Sequence, residues 1–333
     1  MERYANSVMF GFDFQSNAAI VLMVKNMAEM DTIRIEGEED IEIGLSDGTY
    51  VLAQAKAVEK ASTDFSNVRA KAEKAMKSLS EASKKVTASQ LIYITNSPDP
   101  FKDEASKPMF YGKARVKYAA LPEQTQKVIS GWLSKIESPL NTDALTIQVL
   151  PFETDDEDQR YKVVIDAISD FIGGIELSNY DGLRKRLHEV WQMMLDKNGT
   201  KTNRDIKLTK KDVVWPIIVF VTGRNCLDRY SRYCADIDEG EYYEISRRYR
   251  ELIEETSERF DIAVKVVTDF YEKKLKGQDA IEQFIDKQWA NYEEVFGLNA
   301  VEEPIKSSLT KVILYNILRK RFEINKIKQS VKL

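Results

Sequence analysis

The sequence predicts an α/β fold in its first half, a mixed sheet flanked by helices, followed by an all-α second half. Up to about residue 150, apolar runs of strand length alternate with segments of helical periodicity. Clusters of glycine, asparagine and proline separate these segments. Beyond residue 160 helical periodicity continues and strand-like runs disappear. We therefore predict two domains, residues 1–155 and residues 156–333.

The elements of the first domain follow from their apolar spacing. Apolar residues recur at helical intervals over residues 8–30, which predicts a helix. Residues 33–36 and 40–45 have strand character and are interpreted as one bent strand broken at Gly37. A tight turn follows at residues 46–49. The remaining predicted elements, in order, are strand 50–58, helix 64–85, strand 91–95, helix 122–136 and strand 145–150.

The second domain has helical periodicity throughout. The predicted helices cover residues 160–172, 178–197, 208–221, 241–274, 278–296 and 304–328. Large aromatic residues in these helices fit a buried core more often than an interface, although both interpretations stay open. These residues are Trp191, Trp215, Tyr242, Tyr243, Trp289 and Tyr292.

Composition excludes several classes of protein. A single histidine and two cysteines rule out most zinc sites and disfavour a disulfide scaffold, so Cys226 and Cys234 are interpreted as reduced packing residues. The net charge of -5 means that a nucleic-acid partner needs a local basic surface. The apolar runs 20–24 and 213–221 are shorter than a membrane span, and no signal peptide is evident. We expect a cytoplasmic protein with no membrane association.

Polar residues of the hairpin around residues 46–49 share one side of the sheet. Side chains alternate along a strand, so Asp40 and Glu42 lie on one face of the first strand. In the second strand Gln54 and Lys56 share a face. The turn brings these faces together, so Asp40, Gln54 and Lys56 converge. Glu42 lies one step along and is interpreted as a solvated edge charge.

These side chains suit metal-assisted hydrolysis of a phosphodiester. Mg²⁺ prefers oxygen ligands, and Asp40 offers a carboxylate while Gln54 offers an amide oxygen beside the carbonyl of Ala55. Lys56 can orient or deprotonate the attacking water, or stabilise charge on the phosphorane. The alternative is an ordinary exposed hairpin with outward charges. The residues alone leave both interpretations open.

Two motifs resemble a nuclease superfamily. The D-I-E-I of residues 40–43 followed by the Q-A-K of residues 54–56 resembles the D…(D/E/Q)xK signature of PD-(D/E)xK nucleases, in the Mrr-like branch where glutamine replaces the second acid. The G-F-D-F-Q of residues 11–15 is similar to the G-F-x-(Y/F)-Q helix of Cap-type double-stranded DNA endonuclease domains of anti-phage effectors. There the helix precedes an E-x-x-x-D strand, matched by residues 36–40. The resemblance covers about residues 8–150 and implies a restriction-endonuclease-like sheet.

The resemblance implies roles for five residues. Asp40 and Gln54 would bind Mg²⁺ or Mn²⁺, and Lys56 would be the catalytic lysine. Glu36 and Gln15 would help to bind the metal or position water, although Gln15 also suits a packing role in its helix. Gln54 in place of an acid removes one negative charge. Activity is then expected to depend on Mn²⁺, or on DNA or assembly completing the site.

Helix 64–85 has more basic than acidic residues. On the nuclease interpretation it would contact phosphates of double-stranded DNA. A solvated helix face is the alternative. The candidate contacts are Arg69, Lys71, Lys74 and Lys77.

The helical half indicates how such a nuclease would be controlled. It lacks the strands and the glycine-rich loop of a nucleotide sensor. Its arrangement resembles the nuclease subunit of Lamassu-type defence systems, which implies an SMC-like ATPase and an accessory subunit as partners, and a homo-oligomer when active. The nuclease would be held inactive until partner release or oligomerisation. Two alternatives stay open: a non-catalytic DNA-binding or scaffolding adaptor with a nuclease-like fold, and a nuclease gated by a cyclic oligonucleotide.

Overall fold

The protein consists of two compact units. The structure, a computed structural model, describes residues 2–61, 63–153, 155–223, 233, 238–254, 258–298, 301–303 and 305–333. One unit comprises Met1–Ser178 with Arg184–Lys210, and the other comprises Asn179–Leu183 with Lys211–Leu333. The sequence prediction placed the boundary near residue 155, whereas the compact sheet unit also includes most of the chain up to residue 210.

The first unit is built on a mixed sheet of seven strands. Their bounds are β1 Met30–Ile35, β2 Ile41–Leu45, β3 Tyr50–Lys56, β4 Ala88–Thr95, β5 Ala114–Lys117, β6 Leu145–Val149 and β7 Leu208–Thr209. The strand order is β5-β6-β4-β3-β2-β1-β7. Only the pairs β3–β4 and β4–β6 are parallel. The central strands are buried on both faces, which explains the continuous apolar run of β4.

Helices cover both faces of this sheet. Their bounds are α1 Glu2–Asn26, α2 Val68–Ala82, α3 Glu123–Leu133, α4 Glu157–Gly174 and α5 Leu183–Gly199. Helix α2 buries Ala72, Ala75, Met76 and Leu79, the spacing of one helical face, and packs with α3 on the side of Leu52. Helix α1 lies on the opposite side with α4. The site described below lies under α2.

A buried polar network joins α1, α4 and α5. The carboxylate of Asp13 accepts hydrogen bonds from Gln192 at 2.9 Å and from the Tyr161 hydroxyl at 3.2 Å. The Nε2 of His188 lies 2.7 Å from Asn17 Oδ1. Burial lowers the pKa of His188, the chain's one histidine. Because buried polar groups need partners, this network binds α4 and α5 to the sheet unit.

The second unit is helical in its described residues. The bounds are α6 Lys210–Gly223, α7 Glu239–Glu254, α8 Glu258–Glu272, α9 Ala280–Gln288, α10 Ile305–Arg319 and α11 Arg321–Ser330. Helix α10 packs against α7, α8, α9 and α11. Apolar residues such as Leu309 and Leu314 are fully buried there. Among the aromatic residues considered above, Trp191, Trp215 and Tyr292 are buried and Tyr243 is 72% exposed. Cys226 and Cys234 lie outside the described residues.

Several predicted elements differ from the structure. The first helix ends at Asn26, because β1 begins at Met30. The supposed bent strand is two strands, β1 and β2, paired antiparallel. The short strands β5 and β7 were not predicted, and β7 takes the first two residues of the predicted helix 208–221, which begins at Lys210 instead. The second half is therefore helical without being entirely all-α. The predicted helix 304–328 is divided between α10 and α11 at Lys320.

One helical stretch in the described part of the chain, Asn6–Asn26, is long and apolar enough to cross a membrane. The sequence analysis considered only the apolar run 20–24, which is shorter than a membrane span. In the most apolar 18-residue part of this helix, 61% is buried inside the fold. Ala19, Ile20 and Leu22 are fully buried in it. The core helix of a soluble protein meets the same criteria of length and apolar composition.

Candidate active site

The structure brings Asp40 and Lys56 together at the end of β3. The Oδ2 of Asp40 accepts a hydrogen bond from the main-chain N–H of Ala55 at 2.9 Å. The Nζ of Lys56 lies 3.4 Å from the same oxygen. The side chains are 22% and 29% exposed, so a ligand can reach both. The sequence prediction that these residues converge is confirmed by this contact.

The turn between β1 and β2 positions Asp40. Glu36 has a φ of 56°, a left-handed conformation that costs a non-glycine residue roughly 1–2 kcal/mol. Its N–H donates to the carbonyl of Asp40 at 3.1 Å, and the N–H of Gly37 donates to the carbonyl of Glu39 at 3.1 Å. A Cβ on Gly37 would lie 2.9 Å from Glu42 Oε2, so a larger residue here would have to displace that carboxylate. The strained turn thus places Asp40 just outside β2.

Gln15 binds this turn to helix α1. Its Nε2 donates to Glu36 Oε1 and to the main-chain carbonyl of Asp40, both at 2.8 Å. The side chain is buried, while Glu36 is exposed. Because an amide N–H does not bind a cation, Nε2 acts here as a positioning group. Gln15 therefore orients the main chain that carries Asp40.

The chain after Lys56 is also fixed by side chains. Thr95 Oγ1 donates to the carbonyl of Lys56 at 2.8 Å. The buried amide of Asn96 accepts from the N–H of Val58 at 2.7 Å and donates to the carbonyls of Val58 and Phe152. These contacts hold the end of β3 against β4 and β6. Lys56 therefore extends from a rigid strand end, as a catalytic group requires.

Gln54 lies on the predicted face but does not contact Asp40 through a hydrogen bond. Its side chain is 3% exposed, and its Nε2 has no hydrogen-bond partner within the described residues. It alternates with Lys56 along β3, so the two share the face under α2. A buried amide N–H without a partner is costly, so an acceptor supplied by water or a ligand would stabilise this position.

Glu39 is a site residue that the sequence analysis missed. It is 5% exposed, and its Oε1 has no partner among the described residues. Burial, together with the negative charge of Asp40, raises the pKa of Glu39 to about 7, against a hydrogen bond from Ser78 and the charge of Lys56. The signal available in the sequence was the cluster of four acids at 36 and 38–40. The alternation of side chains between the two faces of a strand does not hold in a turn, so it could not show where Glu39 lies.

Glu42 is not the solvated edge charge that the sequence suggested. It is 4% exposed, and its carboxylate pairs with Lys207. Glu42 lies directly opposite Arg34 in the pairing of β1 with β2. The buried guanidinium of Arg34 donates to the main-chain carbonyls of residues 201, 203 and 206. The segment before β7 thus neutralises Glu42. Its charge is used for folding and is not directed at the site.

The predicted DNA-binding residues of α2 differ in their environments. Arg69, Lys74 and Lys77 are exposed to solvent. Lys71 is half-buried, and its Nζ donates to the carbonyl of Ala57, one residue beyond Lys56. Burial and the neighbouring charge of Lys56 lower the pKa of Lys71. Lys71 thus adds positive charge beside the site.

Several oxygen atoms near Asp40 are of the kind that a hard divalent cation binds. No group of three or more His, Cys, Asp or Glu side chains is arranged to hold a metal within the described residues. The candidate ligands are instead mixed: carboxylates of Asp40 and Glu39, the amide of Gln54, and the carbonyl of Ala55, which shares its strand edge with the N–H bound by Asp40. The orphaned Oε1 of Glu39 is the atom that a cation would satisfy.

The chain was compared with known proteins at three levels. No protein-family model, no curated protein and no solved structure matches it. Its function is therefore inferred from the chemistry of this site.

Proposed function

We propose that the sheet unit is a metal-dependent endonuclease that hydrolyses phosphodiesters of double-stranded DNA, with the PD-(D/E)xK arrangement that its motifs resemble. One observation carries the proposal: the Asp40 carboxylate bonds the N–H of Ala55 and lies 3.4 Å from Lys56 Nζ. The lysine at this rigid strand end suits charge stabilisation at a phosphate, and the carboxylates of Asp40 and the buried Glu39 suit binding of a cation. The mixed sheet flanked by helices is compatible with this family.

Each side chain has a role in this reaction. Lys56 stabilises the negative charge that develops on the phosphoryl oxygens as water attacks phosphorus and the bond to the leaving oxygen breaks. Asp40, Glu39 and Gln54 would hold Mg²⁺ or Mn²⁺. When bound, the cation supplies Lewis-acid stabilisation and a more acidic water. Gln15 keeps the Asp40 main chain in place, and Glu36 is held by the same amide.

Cleavage of supercoiled plasmid tests this proposal. We expect wild-type protein to cut with Mg²⁺ or Mn²⁺ and not with EDTA. Lys56→Ala is expected to lower the rate by about 10²-fold, since it removes one charge-stabilising group, while metal-induced stabilisation persists. An intact plasmid under all metal conditions, with the full chain and its partner subunits present, would refute the proposal. Equal cutting by Lys56→Ala would remove Lys56 from the mechanism.

The exposed residues of α2 are proposed to contact DNA phosphates. Replacing Lys74 and Lys77 with alanine is expected to weaken duplex binding and to reduce the slope of log affinity against log salt by about 2, one for each lost contact. Fluorescence anisotropy across a salt series measures this slope. Lys162→Ala, an exposed lysine on α4 on the other side of the sheet, is the control. An unchanged slope in the double variant would show that these two lysines do not contact DNA phosphates.

A non-catalytic DNA-binding adaptor is the second candidate. It is favoured by the lack of a three-residue acidic or histidine metal cluster among the described residues. On this alternative Asp40 and Lys56 form a structural ion pair that closes the end of β3. Binding of duplex DNA without metal-dependent cleavage would support it.

The biological setting is a further part of the proposal. We propose that the protein is a cytoplasmic effector of anti-phage defence, with the helical unit docking on an SMC-like ATPase and an accessory subunit. Release from these partners, or homo-oligomerisation, would activate cleavage. Gating by a cyclic oligonucleotide is the competing form of control. Co-purification with the products of neighbouring genes distinguishes them, because an ATPase partner and a nucleotide cyclase predict different complexes.

A further inference from the structure

A second concave site lies on the other face of the sheet from Lys56. It is a cavity of about 440 Å³ between α1, α4 and the strands β5 and β6. Gln148 pairs with Ile94, which pairs with Ala55, so Gln148 and the cavity are on the face that Lys56 does not share. The volume falls within the range of about 300–1,000 Å³ typical of small-molecule sites.

The walls of this cavity divide into an apolar and a cationic part. The apolar wall consists of Val21, Val24, Ala167 and the half-buried ring of Phe171. The cationic part consists of Lys25, Lys113 and Arg115. Asp170 is the one acidic residue that lines it. An apolar surface beside convergent charges is typical of a site for an amphipathic ligand.

Arg115 is held in place without a counter-charge. Its two terminal nitrogens donate to the side-chain oxygens of Gln148 at 2.5 Å and Gln90 at 2.8 Å. Within the described chain it forms no ion pair with a carboxylate. Desolvation lowers the pKa of Arg115, as expected for a partly buried cation. The neutral amides orient the guanidinium but leave its positive charge unbalanced, which favours an anion from outside.

The two lysines add to this excess of positive charge. Partial desolvation lowers the pKa of Lys25, although the side chain stays exposed, and the charges of Arg115 and Lys113 lower this pKa further. The three cations therefore lie close enough to repel one another. An anion bound among them would relieve this repulsion. A phosphate dianion suits three cations better than a carboxylate, because it carries two negative charges and offers three acceptor oxygens.

We propose that this cavity binds a small phosphate-bearing ligand whose flat apolar part lies against Phe171 and the aliphatic wall, a chemistry represented by a nucleoside monophosphate. The phosphate contacts Arg115, Lys25 and Lys113. The site uses none of the residues assigned to DNA cleavage and lies on the opposite face of the sheet. Binding here therefore does not depend on the proposed nuclease activity.

Isothermal titration calorimetry of the full chain tests the proposal with adenosine monophosphate, adenosine and inorganic phosphate. We expect the monophosphate to bind, adenosine to bind at least about tenfold more weakly because it lacks the charge, and added salt to weaken the monophosphate. Lys25→Ala combined with Lys113→Ala is expected to reduce its affinity by about tenfold or more. Both lysines are exposed, so the double variant should fold, which circular dichroism verifies. Lys162→Ala on α4 should bind as the wild type does.

Three results would overturn the proposal. The first is no heat with either adenosine monophosphate or inorganic phosphate. The second is equal affinity in the wild type and the folded double variant. The third comes from a short single-stranded oligonucleotide: if its binding is lost in the double variant while the monophosphate never binds, the cations belong to a DNA contact instead.

Discussion

Asp40→Asn is expected to abolish DNA cleavage, with a rate at least ~10³-fold below the wild type, because it removes the one carboxylate that contacts both Lys56 and the β3 main chain. Asparagine is isosteric, and its side-chain oxygen can still accept the N–H of Ala55. The turn should therefore keep its conformation. The loss then reports on the charge at the site and not on unfolding. Plasmid cleavage with Mg²⁺ and with Mn²⁺ measures the rate.

The matched control is Asp47→Asn. Asp47 lies in the turn between β2 and β3, where it accepts hydrogen bonds from the N–H and hydroxyl of Thr49. The same chemical change at this exposed position should leave cleavage unchanged. Thermal unfolding with and without Mn²⁺ provides a second readout, since Asp40→Asn should also lose the metal-induced rise in Tm. Cleavage at the wild-type rate by Asp40→Asn would exclude Asp40 from the active site.

Glu39→Gln is expected to stabilise the metal-free protein at about pH 8 while weakening its response to metal. The pKa of Glu39 is raised from 4.5 to about 7, so the folded state keeps its proton where the unfolded state has lost it. Stability from this residue therefore falls as pH rises from about 4.5 to about 7 and stays low above that window. The loss is on the order of 3 kcal/mol, which the neutral glutamine avoids.

Thermal unfolding in EDTA across this pH range measures the effect. A gain on this scale corresponds to a rise in Tm of several degrees at alkaline pH, and to little change at acid pH. Glu38→Gln is the adjacent control and should act in the opposite direction, because a hydrogen bond and ion pair with Lys85 lower the pKa of Glu38. Added Mn²⁺ should raise Tm much more in the wild type than in Glu39→Gln. If Glu39→Gln destabilises the metal-free protein, the unpaired-carboxylate interpretation is wrong.

Much of the sheet was predictable because its strands bury continuous or alternating apolar runs. β4 and β6 show such runs, and the structure places both in the parallel part of the sheet, with β4 in its centre. β5 and β7 are short edge strands with charged or polar residues, so no local pattern distinguishes them from loops. Their pairing depends on partners distant in sequence. The same reason explains why α4 and α5 join the sheet unit: their anchor is the Asp13 network contributed by α1.

Alternation along two strands joined by a tight turn was enough to predict that Asp40 and Lys56 lie on the same side of the sheet, and the structure shows them in contact. The same alternation predicted that Gln54 lies on this face of β3. Which of the neighbouring acids are buried follows only from contacts made in the folded chain. Glu39 is buried and bonded by Ser78 of α2, and Glu42 pairs with Lys207, which is distant in the chain. Burial and charge pairing arise from segments far apart in sequence, and no local pattern encodes them.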